Sequence, residues 1–323
     1  MNYFSPIYLS PLLAALVTII SIAIILSGKF GQGIQDIPNE RSLHKTVVPR
    51  SGGVALMAGV SAGWVMLVSD LTWWITLPVL CLLVISLLDD IYNLPVKKRL
   101  LIHLGAVVLF IVGAGIFSIY GVLIALTIGL LMVWMTNLYN FMDGSDGLAG
   151  GMALFGFSFY GIAALIHQQE AFALLNFSIA AAAFGFLLSN FHPAKIFMGD
   201  AGSIPLGFLA AALGVLGWRQ GLWAAWFPIL VFSPFIVDAS ITLLKRTLRG
   251  VKITEAHREH YYQRAVQLGY GHRNVALIEY ALMFAAGLSA LLFSSEMILI
   301  VWGVIYTVLM LAVDGKWKNT SHV

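Results

Sequence analysis

The sequence predicts an all-α polytopic integral membrane protein of about eleven transmembrane helices, and three observations carry that prediction. Of its 323 residues, 60% belong to the hydrophobic set and the mean hydropathy is +0.90. Only 10% are charged, against roughly 25% in ordinary soluble domains, too few to coat a water-facing surface. The apolar residues also gather into runs near the ~20 residues that a helix needs to cross a bilayer core. These proportions exclude a soluble enzyme, a disordered chain and a nucleic-acid-binding module. The lipid bilayer is the expected surrounding, and nucleic acid is not an expected partner.

The runs, in order, cover residues 7–27, 52–69, 73–90, 100–118, 120–137, 149–166, 171–190, 203–218, 222–244, 275–293 and 297–313. The first has no basic segment before it and ends in Gly28-Lys29, so it reads as an uncleaved helix with its amino terminus outside rather than a secretory signal. The second follows Gly52-Gly53. The third holds the single cysteine, Cys81, which can form no internal disulfide, and closes on Asp89-Asp90. The fourth and fifth follow Lys97-Lys98-Arg99. The sixth opens after Asp146-Gly147, the eighth after Asp200, and the ninth contains Asp238. Ser69–Thr72, His167–Glu170, Trp218–Gly221 and Ser294–Glu296 are short breaks; those between them are long and polar.

The net charge of +3 says little, whereas its placement says much. With this span order, 17 of the 18 lysines and arginines fall on one side and Arg219 alone on the other. Cationic loops stay cytoplasmic, so the carboxyl terminus is expected inside. Trp73, Trp74, Trp218 and Trp223 lie at the expected outer ends, as an aromatic belt would. No repeat, Pro-rich linker or separate soluble domain is visible. Residues 1–323 read as one membrane domain, with chemistry in cytoplasmic loops at 28–51, 91–99, 137–149, 190–203 and 245–274.

The acidic residues are sorted in the same way. Asp70, Glu170 and Glu296 occupy outer turns, Glu279 can snorkel, and Asp314 falls in the tail. Asp89 and Asp90 end an apolar helix at its carboxyl end, where the macrodipole disfavours negative charge. An interfacial stop is the plain explanation, but basic residues usually serve there. A carboxylate pair can instead hold Mg²⁺ against phosphates or act as a base. In Asn137-Leu-Tyr-Asn140-Phe-Met-Asp143-Gly-Ser-Asp146-Gly147, glycines permit sharp turns and close ligand approach. Asp146 can cap the next helix, yet two asparagines and two aspartates exceed what capping requires. In Lys195-Ile-Phe197-Met-Gly-Asp200, Lys195 can neutralise a phosphate and Asp200 can ligate a metal. Phe197 offers a face for a base, or simply packs. Asp238 lies within a span, must face the bundle interior, and is functional or paired with Lys or Arg by default. Cations complete the picture: Arg41, Lys45 and Arg50 in the first loop, and His257, His260, Arg264 and His272 in the last. Carboxylates and cations on one face, without a cysteine–histidine cluster or a Walker-type loop, suggest Mg²⁺ and a multiply phosphorylated substrate.

Taken together the motifs resemble those of the polyprenyl-phosphate N-acetylhexosamine-1-phosphate transferases. The likeness rests on Asp36-x-Pro-Asn39-x-Arg41-Ser42-x-His44, Pro49-Arg50-x-Gly52-Gly53, Asp89-Asp90, Asn137-x-x-Asn140-x-x-Asp143-Gly144-x-Asp146-Gly147-Leu148, Lys195-x-Phe197-Met198-Gly199-Asp200-x-Gly202-Ser203, and Asp238, in order along nearly the whole chain. The resemblance implies transfer of a sugar 1-phosphate from a UDP-N-acetylhexosamine to undecaprenyl phosphate, freely reversible and releasing UMP. It would begin a cell-envelope glycan at a bacterial inner membrane. Mg²⁺ is implied, with Mn²⁺ able to substitute, and a homodimer is compatible with the chain. By the same resemblance Asp89 orients or deprotonates the lipid phosphate and Asp90 assists. Asp200 and Asp143 ligate the metal. Asn137, Asn140, Asp143 and Asp146 hold the nucleotide, with Lys45 and Phe197 near the uracil. Arg50, Lys195, His260 and Arg264 contact phosphate or sugar. Family members commonly carry His-x-His-His-Arg where this chain has His260-Tyr261-Tyr262-Gln263-Arg264. That departure leaves the donor open between N-acetylglucosamine and modified hexosamines such as N-acetylfucosamine or N-acetylquinovosamine. The first-loop motifs and the eleventh helix fit the glycan-initiating branch better than one using a pentapeptide-bearing muramoyl donor. Two other classes share single features: an intramembrane prenyltransferase uses aspartate clusters with Mg²⁺, and an ion-coupled transporter carries carboxylates along its path.

Overall fold

In the computed structural model, described over residues 5–28, 34–38, 43, 47–252, 255 and 257–320, each apolar run contains helix. The chain begins with a 3₁₀ turn, Pro6–Leu9, leading into α1 (Ser10–Leu26). A two-residue antiparallel pair, β1 (Gln35–Asp36) with β2 (Val48–Pro49), precedes α2 (Gly52–Val65). Then come α3 (Trp73–Tyr92), α4 (Val96–Gly113), α5 (Ile116–Phe141), α6 (Leu148–Ile166), α7 (Glu170–Asn190) and α8 (Asp200–Arg219). A broken pair follows, α9 (Trp226–Val231) and α10 (Ser233–Leu248). The chain ends with the single turn α11 (Tyr261–Ala265), a π-helical segment (Val266–Tyr270), α12 (Gly271–Leu292) and α13 (Met297–Thr320).

Eight helices among the described residues are long and apolar enough to cross a membrane, so the protein is an all-α, polytopic membrane protein. The other three expected spans depart from that standard for local reasons. Helix α2 has only 14 residues. Helix α4 starts four residues earlier than its apolar run, at Val96 just after Pro95, and takes Lys97, Lys98 and Arg99 into its first turn. The run 222–244 is broken at Phe232, two residues before Pro234; Pro228 and Pro234 offer no N–H to a helical ladder. Glycine also moves the expected break between the fourth and fifth runs. Gly115 (φ +68°) separates α4 from α5, and Gly121 (φ +78°) interrupts α5 itself. Helix α10 extends through Lys245 and Arg246, and α13 through Asp314, which sequence reading put in a loop and a tail.

Helix α8 is the centre of the bundle and is buried almost throughout. Helices α2, α3, α5, α6 and α9 pack around it. Small residues make this close approach feasible where lipid gives no hydrophobic drive between helices. A Cβ at Gly207 would lie 2.7 Å from the Tyr139 Cβ, and one at Gly202 would lie 2.6 Å from the Gly53 Cα. Helices α1, α7 and α6 form a second packed layer. Trp223, expected in an outer belt, is buried instead and stacks on Tyr160 and Phe227.

Candidate active site

The polar site is assembled from helix ends at one end of the bundle. The carboxyl end of α3 brings Asp89 and Asp90, and the carboxyl end of α5 brings Asn140 and the turn holding Asp143. The amino ends of α4 and α8 bring Arg99 and Asp200, and Arg50 lies two residues before α2.

Backbone interlock fixes this convergence. The Phe197 N–H donates to the Pro49 carbonyl at 2.8 Å, the Gly52 N–H to the Phe197 carbonyl at 2.9 Å, and the Gly53 N–H to the Met198 carbonyl at 2.8 Å. Two glycine-bearing segments thereby lie against each other too closely for side chains: a Cβ at Gly53 would stand 2.3 Å from the Gly202 nitrogen. Gly199 adopts φ +71°, the left-handed region open to glycine, and turns the chain into α8 under Arg50.

Two guanidiniums then tie the carboxylates together. An Arg50 NH2 donates to Asp200 Oδ1 at 2.6 Å and stands 3.2 Å from Asp90 Oδ1. An Arg99 NH1 reaches Asp89 Oδ2 at 2.6 Å and Asp200 Oδ2 at 3.2 Å. Asn140 Nδ2 donates to Asp200 Oδ1 at 2.9 Å and to the Ser203 hydroxyl at 3.0 Å. Asp90 accepts the Asp200 and Ala201 N–H groups at 3.3 and 3.1 Å, so a carboxylate on α3 caps α8, where the helix dipole favours negative charge. Asp89 accepts the Leu94 N–H at 2.6 Å. Asp143 Oδ2 accepts the Gly199 N–H at 3.2 Å. Burial, with the neighbouring Asp200 and Asp90 carboxylates, holds the Asp143 carboxyl well above the usual carboxylate range against the opposing pull of Arg50. Asn137 lies one turn before Asn140 and donates to the Val133 carbonyl at 2.7 Å; it also interacts with the buried His103 of α4.

Other expected site residues stand apart from this cluster. Asp146 does not cap α6. It accepts the Ala194 N–H at 3.2 Å and lies 2.6 Å from His192 Nδ1. The Gly147 N–H is taken by Asn190 Oδ1 at 3.0 Å. Phe197 is half-buried behind Arg50's segment, and Lys195 is exposed. His260 is buried and lies 3.3 Å from Asp238, while Arg264 pairs with Asp314 at 2.8 Å. Asp238 is indeed interior, but its partners are backbone N–H groups of α11, the Thr242 hydroxyl and His260 rather than Lys or Arg. Lys45, with Asn39, Arg41 and His44, lies outside the described residues. Sequence reading missed Arg99. In Lys97-Lys98-Arg99 it has the pattern of any interfacial cation, and only its place opposite Asp89 distinguishes it.

Among the described residues no three His, Cys, Asp or Glu groups form a ready metal cage. The donor set is nonetheless suited to a hard divalent cation. It is built of carboxylate oxygens, and the four aspartates outnumber the two guanidiniums that partly neutralise them.

A bundle of membrane-length helices that gathers four carboxylates and two guanidiniums at its helix ends has the character of an integral-membrane enzyme for phosphorylated substrates. Comparison with known proteins narrows this. Residues 72–217 match the model of "Glycosyl transferase family 4". The chain is 33% identical over 286 residues to a probable undecaprenyl-phosphate N-acetylglucosaminyl 1-phosphate transferase of Bacillus subtilis, covering 82% of this chain and 79% of that one. It is 30% identical to a decaprenyl-phosphate N-acetylglucosaminephosphotransferase of Mycobacterium tuberculosis, over 75% of this chain and 71% of the relative. A phospho-N-acetylmuramoyl-pentapeptide-transferase of Listeria monocytogenes is 27% identical, over 67% of this chain and 74% of the relative. The chain belongs to glycosyl transferase family 4, the polyprenyl-phosphate N-acetylhexosamine-1-phosphate transferases, and is a sugar-phosphate transferase.

Proposed function

We propose that the protein transfers an N-acetylhexosamine 1-phosphate from a UDP-sugar to undecaprenyl phosphate and so initiates a cell-envelope glycan. One observation carries this reading: Asp89, Asp90, Asp143 and Asp200 converge with Arg50 and Arg99 at helix ends, where a lipid phosphate and a nucleotide diphosphate can both arrive. The transfer forms a bond from an acceptor phosphate oxygen to the sugar-bearing phosphorus. The bond from that phosphorus to the bridging oxygen breaks, and UMP leaves with the electron pair. One anhydride replaces another, so the reaction runs in both directions. Such transfers depend mainly on positioning and charge neutralisation.

In this reading Arg50 and Arg99 neutralise phosphate oxygens. Asp89 orients the acceptor phosphate and takes its proton if it arrives protonated. Asp90 holds the amino end of α8 and, with it, Asp200. Asn140 fixes the Asp200 carboxylate, and Asp146 and Phe197 belong to the nucleotide side. Asp143 and Asp200 are the residues that would hold Mg²⁺, which supplies charge neutralisation of the diphosphate when bound. We further place residues 1–323 as one domain of eleven spans in a bacterial inner membrane, amino terminus outside and site on the cytoplasmic face; the sorting of the cations supports this.

The test is an assay of purified protein with UDP-N-acetylglucosamine labelled in the sugar, undecaprenyl phosphate and Mg²⁺, repeated over a panel of UDP-N-acetylhexosamines. Organic-extractable label with UMP release is expected. No product from any donor, with folded protein, would sink the reading. Asp89→Asn and Asp200→Asn are expected to abolish turnover while the protein still inserts; full activity in either would remove that residue from the mechanism.

A further inference from the structure

Asp238 and Tyr262 form a chain of contacts that ends on the turn carrying Asp143. The Asp238 carboxylate, on α10, is 3% exposed. Its Oδ1 accepts the Tyr261 N–H at 2.9 Å and the Thr242 hydroxyl at 3.1 Å, and its Oδ2 accepts the Tyr262 N–H at 2.9 Å. A side chain from another helix thus satisfies the first N–H groups of α11, which have no acceptor within the helix. Gln263 Oε1 adds a bond from the His260 N–H at 3.2 Å. With its backbone held, Tyr262 is 1% exposed and donates its hydroxyl to the Phe141 carbonyl at 3.0 Å. The same oxygen interacts with the Gly144 amide, and a Cβ at Gly144 would stand 2.2 Å from it. The His260 ring lies between those of Phe141 and Tyr262, with centroids at 6.2 and 5.8 Å. The tyrosine hydroxyl therefore spans the turn from the last residue of α5 to Gly144, and Asp143 sits inside that span.

We propose that Tyr262 is a positioning residue whose hydroxyl sets the Asp143 turn, and that Asp238 sets Tyr262 by capping the helix that carries it. The kinetic part of the proposal rests on the transfer reading; the structural part does not.

The experiment compares wild type, Tyr262→Phe, Gly144→Ala, Asp238→Asn and the two double variants containing Tyr262→Phe. It reads donor KM, acceptor KM, kcat and amide hydrogen exchange across residues 142–147. Tyr262→Phe is expected to raise donor KM about three- to tenfold, the worth of one lost buried hydrogen bond, with acceptor KM unchanged and exchange faster. Gly144→Ala is expected to be worse, because its Cβ meets the hydroxyl. Adding Tyr262→Phe leaves the tyrosine's Cζ position, 3.3 Å away, as the nearest ring contact, so that double variant should perform like Tyr262→Phe alone. Asp238→Asn keeps a single oxygen acceptor and should raise donor KM in the same way, with no further loss when Tyr262→Phe is added. Unchanged exchange in Tyr262→Phe, or a Gly144→Ala defect that Tyr262→Phe does not relieve, overturns the proposal. A wild-type protein that turns over no UDP-sugar defeats the transfer reading instead, and exchange at 142–147 still decides the positioning role.

Discussion

Arg99 donates from one guanidinium nitrogen to carboxylates of two different helices, and that bridging predicts an asymmetry between its substitutions. Lysine keeps the charge as a compact point and loses the planar fork, so Arg99→Lys should retain a fraction of the activity. Arg99→Ala leaves Asp89 and Asp200 facing each other without their shared cation and should lower kcat on the order of 10²-fold, the scale on which loss of one oxyanion-stabilising donor acts. Both rates are measured in the radiolabel assay; wild-type activity in Arg99→Lys would show that the charge, and not the bridge, matters, and equal activity of the two variants would contradict the asymmetry. The carboxylates of this cluster were legible in the sequence because a charge is conspicuous in an apolar run. Arg99 was not, because Asn93 in the left-handed region (φ 51°) and Pro95 break the helical phase between it and Asp89. No periodicity links the two. Tyr262 was missed for another reason: it was read as a lost histidine, and nothing in the sequence says that its hydroxyl reaches Phe141.

At the scale of elements, the docking of α2 on α8 depends on contact between backbones. Gly53→Ala places a methyl group 2.3 Å from the Gly202 nitrogen. No rotamer change can relieve a clash with backbone, so a loss of about 1–3 kcal/mol or more is expected. It should appear as a lowered Tm in detergent together with lost activity, whereas Gly105→Ala, with open space around it, should change neither. His257 and Glu259, just before α11, give that end of the bundle a pH dependence of its own. Burial, with His260 and Arg246 nearby, pushes His257 down to about 4 from the ordinary 6.5. Arg249 and Arg246 overcome the effect of burial on Glu259 and hold its carboxyl below its usual range. Both groups have folded values below their unfolded ones. The contribution of His257 is therefore complete above pH 6.5 and is lost as pH falls to about 4, whereas that of Glu259 is complete above its ordinary 4.5 and is lost only below it. Amide exchange at 257–264 should accelerate across that window, and His257→Gln should flatten its upper part; exchange that slows on acidification would contradict this. Helix positions were legible from apolar runs, but their ends were not. Those ends depend on Gly115, Gly121, Pro95 and Pro234, each of which acts through a backbone conformation that hydropathy does not register.

At the scale of the whole molecule, helices long and apolar enough to cross a membrane and a site at the bundle's end make one topological demand. If the cluster of helix ends faces the cytoplasm, every loop on its side must be reachable only from within the cell, and every loop opposite only from outside. Cys81 is the single native thiol, so a Cys81→Ser background makes each introduced cysteine a unique reporter. Ser294 lies between α12 and α13 and Gln169 before α7, both exposed; they should react with an impermeant thiol reagent in intact cells. Lys252 follows α10 and is exposed at the other end; Lys252→Cys should react only after permeabilisation. The cost of moving cationic loops across a bilayer favours this pattern, because the eleven-span order would put 17 of the 18 basic residues on one side. The reverse labelling pattern would put the carboxylate cluster on the face away from cytosolic nucleotide sugars, and labelling of both sets in intact cells would overturn the eleven-span order.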